Sequence, residues 1–336
     1  MPSDLSENPA PARNFPIFDL SRFEQADAAG RRALGAEVDA ICRSTGFLAI
    51  SGHSVPRPVI DAVWRKAHAF FDLPAEVKEK ARAPYPGYPY GYLGPGVEAL
   101  AKSKGQDTPP DLKESFNGGP LSVPEGLDDA QALAFCYAAT IWPEEPAGFR
   151  AAWEAYYRAM EDLAGRIMRV FAAALDLRET FFDKTIDRPV SALRALNYPQ
   201  THVAPQPGQL RAGAHTDYGS LTILLPQPGS SGLQIFTPEG DWREVPPLDG
   251  AFVINIGDLM ARWTNDRWVS TLHRVVNSDG SAARRQSLAF FHQPNWHQEI
   301  ACIPSCLAPG ESPRYEPVFS GPYLMSKFQA TVKPAA

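Results

Sequence analysis

Two histidines and an aspartate have the residue types and spacing of a metal site. His215 and Asp217 stand two apart, in His215-Thr216-Asp217, and His273 follows far downstream. In a β-strand, residues i and i+2 point to the same side, so that His215 and Asp217 could grip one ion while Thr216 points away. Two histidines and one carboxylate are the ligand set of non-heme Fe(II) sites, and they leave one face of the ion open for O2 and an organic ligand. His273 can join them only in a fold that brings separated strands together.

A second group of polar residues follows His273. Arg284, Arg285, Gln286 and Ser287 lead an apolar run over 288–291. In an extended strand Arg285 and Ser287 share a face, and Arg284 takes the other. An arginine fork beside a hydroxyl suits a carboxylate, because the bidentate, charge-assisted pair is strong and directional. The alternative is a solvated arginine near a turn. A dicarboxylate that chelates the metal at one end could meet Arg285 and Ser287 at the other.

These motifs resemble the isopenicillin N synthase-like family of 2-oxoglutarate/Fe(II)-dependent dioxygenases. The matching segments span most of the chain in the family's order and lie at 113–116, 197–199, 215–225, 232–234, 253–258, 273–275 and 285–287. The resemblance implies Fe(II) at His215, Asp217 and His273. It also implies 2-oxoglutarate held by Arg285 and Ser287, with help from Tyr198. The expected activity consumes O2, releases succinate and CO2, and oxidises a small-molecule substrate, with hydroxylation as the expected outcome.

Three functions stay open at this point. The first is a 2-oxoglutarate-dependent dioxygenase. The second is an oxidase like isopenicillin N synthase that uses no 2-oxoglutarate, since such oxidases can keep the Arg285/Ser287 pair. The third is a catalytically silent ligand-binding or sensing protein on the same scaffold. The intact set of His215, Asp217 and His273 disfavours the third, because a pure binder has no need of all three.

Five further residues are candidates for the substrate pocket. Tyr90 and Tyr92 belong to a segment rich in tyrosine, proline and glycine over 84–96. This segment is either a wall or lid of the pocket, or a rigid loop whose rings cover apolar surface. Phe116, Phe291 and Asn295 are candidates by their position in the family pattern. The alternative for the buried aromatic residues is plain core.

Composition limits the classes of partner. The 336 residues are 44% hydrophobic, enough to bury a sizeable core, and the net charge is −6. Without a basic tract we expect neither nucleic acid nor a membrane surface as a partner. The four scattered cysteines indicate free thiols in a reducing cytoplasm. No signal-peptide core or membrane-spanning stretch occurs. We therefore expect a cytoplasmic protein that is a monomer or homodimer.

The order of patterns predicts one catalytic unit. Apolar spacing predicts helices over 28–44, 56–71, 148–175, 178–184 and 323–331. From residue 190, short apolar runs alternate with Gly, Pro, Asp and Asn, which is typical of a jelly roll. The predicted fold is mainly β, with an α/β N-terminal shell and a double-stranded β-helix core backed by the long helix. The parts are a disordered arm (1–14), an N-terminal α/β region of the same unit (15–145), and the helix-backed core with its closing helix (146–336).

Overall fold

A computed structural model describes residues 15–106, 108–200, 205–277 and 283–332. The arm predicted over 1–14 lies outside these ranges. The strands of the described residues are β1 Ile17–Asp19, β2 Phe47–Ser51, β3 Gly91–Leu93, β4 Glu114–Gly118, β5 Ala192–Tyr198, β6 Ala212–His215, β7 Leu221–Pro226, β8 Leu233–Phe236, β9 Trp242–Glu244, β10 Phe252–Ile256, β11 His273–Val275, β12 Arg285–His292, β13 Glu299–Ile300 and β14 Val318–Phe319. The α-helices are α1 Leu20–Gln25, α2 Ala28–Ser44, α3 Arg57–Phe71, α4 Ala75–Lys78, α5 Ala130–Ala134, α6 Phe149–Ala174, α7 Asp258–Trp263 and α8 Ser320–Val332.

Two sheets hold the core together. The large sheet has the order β1-β2-β10-β7-β12-β5-β4-β3, and the small one has the order β6-β11-β8-β9. Strand β12 lies between β7 and β5 and pairs antiparallel with both. Strands from the N-terminal region, β1 to β4, extend the same large sheet. The N-terminal region and the later strands therefore share one sheet and one core.

Strand alternation divides the large sheet into two faces. In β12, the side chains of Arg285, Ser287, Ala289 and Phe291 line a cavity between the two sheets. The intervening Leu288 and Phe290 belong to the main hydrophobic core. This is the two-residue period expected of a strand that separates a core from a cavity. The face that carries Arg285 and Ser287 is thus the cavity face.

The long helix α6 backs the large sheet. Its residues Trp153, Tyr157, Met160, Leu163 and Ile167 are almost fully buried at spacings of three and four. Tyr157 packs edge-on against Phe290 of β12, with ring centroids 5.2 Å apart. Each such buried side chain stabilises the fold by about 1.5–3 kcal/mol relative to exposure. The helix fixes β12 from behind and leaves the other face of that strand free for a ligand.

The predicted helices mostly agree with the structure. Those predicted over 28–44, 56–71 and 148–175 are confirmed to within one residue at each end. The helix predicted over 178–184 is wrong, because only a single 3-10 turn at Asp183–Thr185 forms there. Seven residues offer too few hydrogen bonds to offset the cost of helix nucleation, and the turns already bury Phe182. The closing helix begins three residues earlier than predicted, at Ser320.

Membrane-spanning helices and cysteines are the subject of two expectations from composition. None of the helices in the described ranges is both long and apolar enough to cross a bilayer. All four cysteines are free thiols, of which Cys42 and Cys136 are buried and Cys302 and Cys306 are partly exposed. Burial raises the pKa of the Cys42 and Cys136 thiols, so both stay protonated at neutral pH.

Candidate metal centre and adjoining cavity

The two histidines and the aspartate converge between the sheets. His215 ends β6 and His273 begins β11, where the two residues are register partners. Asp217 follows β6 by two residues, and its Oδ1 lies 3.9 Å from Nε2 of His215 and 3.8 Å from Nε2 of His273. One ligand atom from each of the three lies within 4.8 Å of the others. Three donors this close together can bind a single ion.

Backbone carbonyls set the tautomers of both histidines. Nδ1 of His215 lies 2.7 Å from the Gly213 carbonyl oxygen, and Nδ1 of His273 lies 3.1 Å from that of Thr271. Because a carbonyl oxygen only accepts hydrogen bonds, each Nδ1 carries the proton and donates. Nε2 is therefore the ring nitrogen that each histidine has available for a metal, and both Nε2 atoms face the common centre.

The charge state of the cluster also suits a divalent cation. Burial, and next the neighbouring His273, lower the pKa of His215 to about 3, so this imidazole is neutral at physiological pH. Burial opposes ionisation of Asp217, but the two histidines and hydrogen bonds from Thr222 and Asn255 outweigh it and lower its pKa. Two histidines and one carboxylate form the donor set of mononuclear non-heme iron sites.

Two donors from the large sheet orient the carboxylate. Thr222 Oγ1 and Asn255 Nδ2 donate to Oδ2 of Asp217 at 2.6 Å and 2.7 Å. Oδ1 remains directed at the two histidines. Neither residue was predicted from the sequence. Asn255 could have been noticed, because it is the one polar residue in the otherwise apolar strand β10.

The cavity beside the cluster has a volume of about 220 Å3. One end is formed by Arg285, Ser287 and Tyr198, the three residues predicted for 2-oxoglutarate. Arg285 is 4% exposed, and its Nε and Nη1 find no hydrogen-bond partner among the described residues. Burial lowers the pKa of Arg285, and the Tyr198 ring, 5.2 Å from the guanidinium, opposes that shift. A buried guanidinium with unpaired N–H groups is costly unless an anion meets it.

Arg211 adds a second positive charge at this end. It is buried, and its Nη2 donates to the Ala283 carbonyl oxygen at 2.7 Å. Burial and the nearby Arg285 lower the pKa of Arg211. No sequence pattern marks Arg211, because it stands just before β6 among turn residues. The charge of Arg211 adds to that of Arg285, which lines the cavity, and so favours an anion beside Arg285.

Of the five predicted substrate residues, only Tyr90 and Phe291 line the cavity. Phe116 points to the opposite face of β4, where it is fully buried. There its ring centroid lies 5.0 Å from that of Phe149 and 5.1 Å from that of Trp153. The prediction that Phe116 lines the pocket is therefore wrong. Adjacent residues of a strand face opposite sides, and in β4 it is Asn117 that lines the cavity.

Tyr92 and Asn295 also lie away from the cavity lining. The Tyr92 hydroxyl donates to Glu114 behind the sheet. Gly91, with φ of 110°, interrupts the extended backbone between Tyr90 and Tyr92, so the two rings do not share a face. Asn295 Oδ1 accepts from the Arg188 backbone N–H at 2.7 Å and so ties two loops together.

Known proteins match nearly the whole chain. The family model described as the 2OG-Fe(II) oxygenase superfamily matches residues 190–294, and the one described as non-haem dioxygenase in morphine synthesis N-terminal matches residues 15–145. A 2-oxoglutarate-Fe(II) type oxidoreductase of Emericella nidulans is 34% identical over 319 residues, which are 90% of this chain and 86% of that protein. The chain belongs to the 2OG-Fe(II) oxygenase superfamily. This oxygenase is also 33% identical to the Validamycin A dioxygenase of Streptomyces hygroscopicus subsp. limoneus, over 85% of this chain and 78% of that one.

A solved structure agrees with the fold of this oxygenase. A full-length Neurospora crassa protein in complex with alpha-KG and thymine superimposes with a TM-score of 0.83 at 30% identity, covering 94% of this chain and 97% of that chain. The predicted jelly-roll core is confirmed by this likeness. The protein is therefore an Fe(II)- and 2-oxoglutarate-dependent dioxygenase that oxidises a small molecule. Of the three functions left open by the sequence, the first is confirmed.

Proposed function

We propose that His215, Asp217 and His273 hold the Fe(II), and that Arg285 and Ser287 bind the distal carboxylate of 2-oxoglutarate. The observation that carries this assignment is the buried Arg285, whose Nε and Nη1 have no hydrogen-bond partner in the described part of the chain. Arg285 lines the same cavity as His215, Asp217 and His273. A carboxylate would supply the missing acceptors and neutralise the buried charge.

Each residue has a definite task. Fe(II), when bound, supplies the O2 chemistry that converts 2-oxoglutarate to succinate and CO2 and oxidises the substrate. The carbonyls of Gly213 and Thr271 keep both histidine Nε2 atoms available. Tyr198 supports Arg285 by lying against its guanidinium. The burial of these groups excludes water, so that the charged contacts at the site are stronger than they would be in solution.

The substrate occupies the other end of the cavity, lined by Tyr90 and Phe291. The Neurospora crassa relative binds thymine, a compact organic molecule, which supports a small-molecule substrate here. We expect hydroxylation of that molecule. One chain supplies the three metal ligands and the cavity lining, so a monomer suffices for the reaction and a homodimer is compatible with it.

Succinate formation tests this function. Purified protein with Fe(II), 2-oxoglutarate and O2 should release succinate slowly without substrate, and this release should disappear in His215→Ala. The matched control is His297→Ala, which replaces a histidine outside the cluster whose side chain is 63% exposed. Succinate release that survives His215→Ala would refute the metal assignment. O2 uptake that is independent of 2-oxoglutarate would favour the oxidase instead.

A further inference from the structure

Two amide side chains in the cavity lining each have an atom without a hydrogen-bond partner. Asn117 is 4% exposed and Gln293 is 3% exposed, and both line the cavity. Asn117 Nδ2 and Gln293 Oε1 find no partner among the described residues. Leaving a buried polar atom unpaired is costly, so each atom indicates a ligand group of the opposite kind.

The orientation of Asn117 is fixed by its neighbour. Arg194 Nε donates to Asn117 Oδ1 at 2.5 Å. Because this oxygen already accepts from Arg194, Nδ2 is the amide atom of Asn117 that still has no partner among the described residues. Asn117 therefore offers a hydrogen-bond donor, whereas Gln293 offers an acceptor. A matching ligand needs both an acceptor and a donor.

Arg194 is not available to attract an anion. Its Nη1 and Nη2 both donate to the Glu98 carboxylate, each at 3.1 Å. Lys113 lies 3.4 Å from the same carboxylate and 3.0 Å from that of Asp111. Two cations and two carboxylates thus compensate one another. Burial opposes ionisation of Glu98, but Arg194 and Lys113 lower its pKa to about 2, so the pairing persists at neutral pH.

Aromatic rings form part of the same cavity lining. Tyr90, Phe135, Phe291 and Phe328 contribute rings to the lining. Aromatic side chains favour stacked or edge-on contact with another ring. We propose that the substrate is a neutral, ring-containing molecule that presents a carbonyl-type acceptor to Asn117 and an N–H or O–H donor to Gln293. This inference rests on the proposed function only in taking the cavity as the substrate site.

Matched ligand pairs separate this proposal from its main competitor, a carboxylate substrate bound by Arg194. The protein is saturated with Mn(II) and 2-oxoglutarate without O2, and binding is measured by calorimetry. The probes are phenylacetamide with phenylacetate, benzamide with benzoate, and indole-3-acetamide with indole-3-acetate. We expect the amide of at least one pair to bind at least about tenfold more tightly than its carboxylate. Tighter carboxylates in every pair, or no binding by any amide, would overturn the proposal.

Two variants test the named atoms. Asn117→Asp keeps the acceptor for Arg194 but removes the donor, and Gln293→Met removes the acceptor at similar volume. Each variant should weaken amide binding by about 10- to 100-fold. The control is Gln131→Met, which replaces an exposed glutamine and should leave the affinity for the amides unchanged. Unchanged affinity in both variants would show that water, not substrate, meets these atoms, and would overturn the proposal. These binding measurements do not depend on turnover. A failure of the succinate assay would therefore refute the proposed function without deciding this proposal.

Discussion

Asn255 donates a hydrogen bond of 2.7 Å to Oδ2 of Asp217, across a sequence separation of 38 residues. Asn255 belongs to β10 of the large sheet, whereas Asp217 follows β6 of the small sheet. Thr222, on β7, donates to the same oxygen. The large sheet thus decides which carboxylate oxygen faces His215 and His273. Loss of this hydrogen bond should therefore lower the affinity for Fe(II) more than it lowers the stability of the fold.

Removing the contact should weaken iron binding. We expect Asn255→Ala to lower the Fe(II) affinity by about 10- to 100-fold, because a carboxylate without its outer donors is less well oriented. Thr222→Val, which removes the second donor to the same oxygen, should act in the same direction. Anaerobic Fe(II) titration measures both effects. An unchanged affinity in both variants would mean that Asp217 needs no support from the large sheet.

Arg285 should control the cosubstrate and not the metal. We expect Arg285→Met to raise the 2-oxoglutarate concentration for half-maximal turnover by about 100-fold, since a buried charge-assisted pair is lost. Fe(II) affinity should stay within about twofold of the wild type. Steady-state kinetics over a range of 2-oxoglutarate concentrations, with a parallel metal titration, separates the two effects.

Arg284→Met is the matched control for this variant. Arg284 is next in sequence but lies on the other face of the sheet, where its Nε donates to Asn197. It should leave the 2-oxoglutarate requirement unchanged. If Arg284→Met raised that requirement as much as Arg285→Met, the assignment of the cosubstrate receptor would be wrong.

The sequence predicted those features that follow from strand alternation. Arg285, Ser287 and Phe291 do share the cavity face of β12. His215 and Asp217 do converge, but Asp217 lies two residues beyond the end of β6, so the chain after the strand, and not strand alternation, places its carboxylate. The prediction that placed Phe116 in the cavity relied on its position in the family pattern. The polar–apolar–polar order of Ser115, Phe116 and Asn117 agrees instead with the observed facing, in which Phe116 belongs to the core and Asn117 lines the cavity.

Other parts of the site depend on tertiary pairing, which a single chain does not reveal. The bidentate Arg194–Glu98 pair joins residues 96 apart, and the Asn255–Asp217 contact joins two different sheets. The predicted helix over 178–184 failed for a local reason, since a short segment gains little from helical hydrogen bonds. Local spacing and the family resemblance thus predict the proposed metal ligands, whereas tertiary packing determines the residues that orient them.

A buried ion pair behind the sheet should be important for stability. Lys78 Nζ lies 2.8 Å from Glu114 Oε2, and their side chains are 10% and 5% exposed. Lys78→Met should lower the free energy of unfolding by about 3 kcal/mol, because it leaves the Glu114 charge buried without its cation. Urea denaturation measures the change.

The exposed pair of Arg57 and Asp61 provides the control, since the Arg57 side chain is 74% exposed. Arg57→Met should change the free energy of unfolding by less than about 0.5 kcal/mol. Equal losses in Lys78→Met and Arg57→Met would contradict a special role for the buried pair.

His292 should make the fold sensitive to acid. Burial lowers its pKa from the ordinary 6.5 to about 3. Between pH 3 and pH 6.5, His292 is therefore protonated in the unfolded chain but neutral in the folded chain. The free energy of unfolding accordingly falls as the pH drops below about 6.5. The contribution of this one histidine is at most about 1.4 kcal/mol per pH unit. Urea unfolding at several pH values should show a shallower acid loss in His292→Gln, and identical slopes would refute the effect.

A crystal structure of the protein grown without O2, with Fe(II) and 2-oxoglutarate, tests the central assignment most directly. We expect the ion to be bound by Nε2 of His215, Nε2 of His273 and Oδ1 of Asp217. The far carboxylate of 2-oxoglutarate should accept hydrogen bonds from Arg285 and Ser287. An ion bound by other residues, or a far carboxylate bound at Arg194 instead, would contradict it.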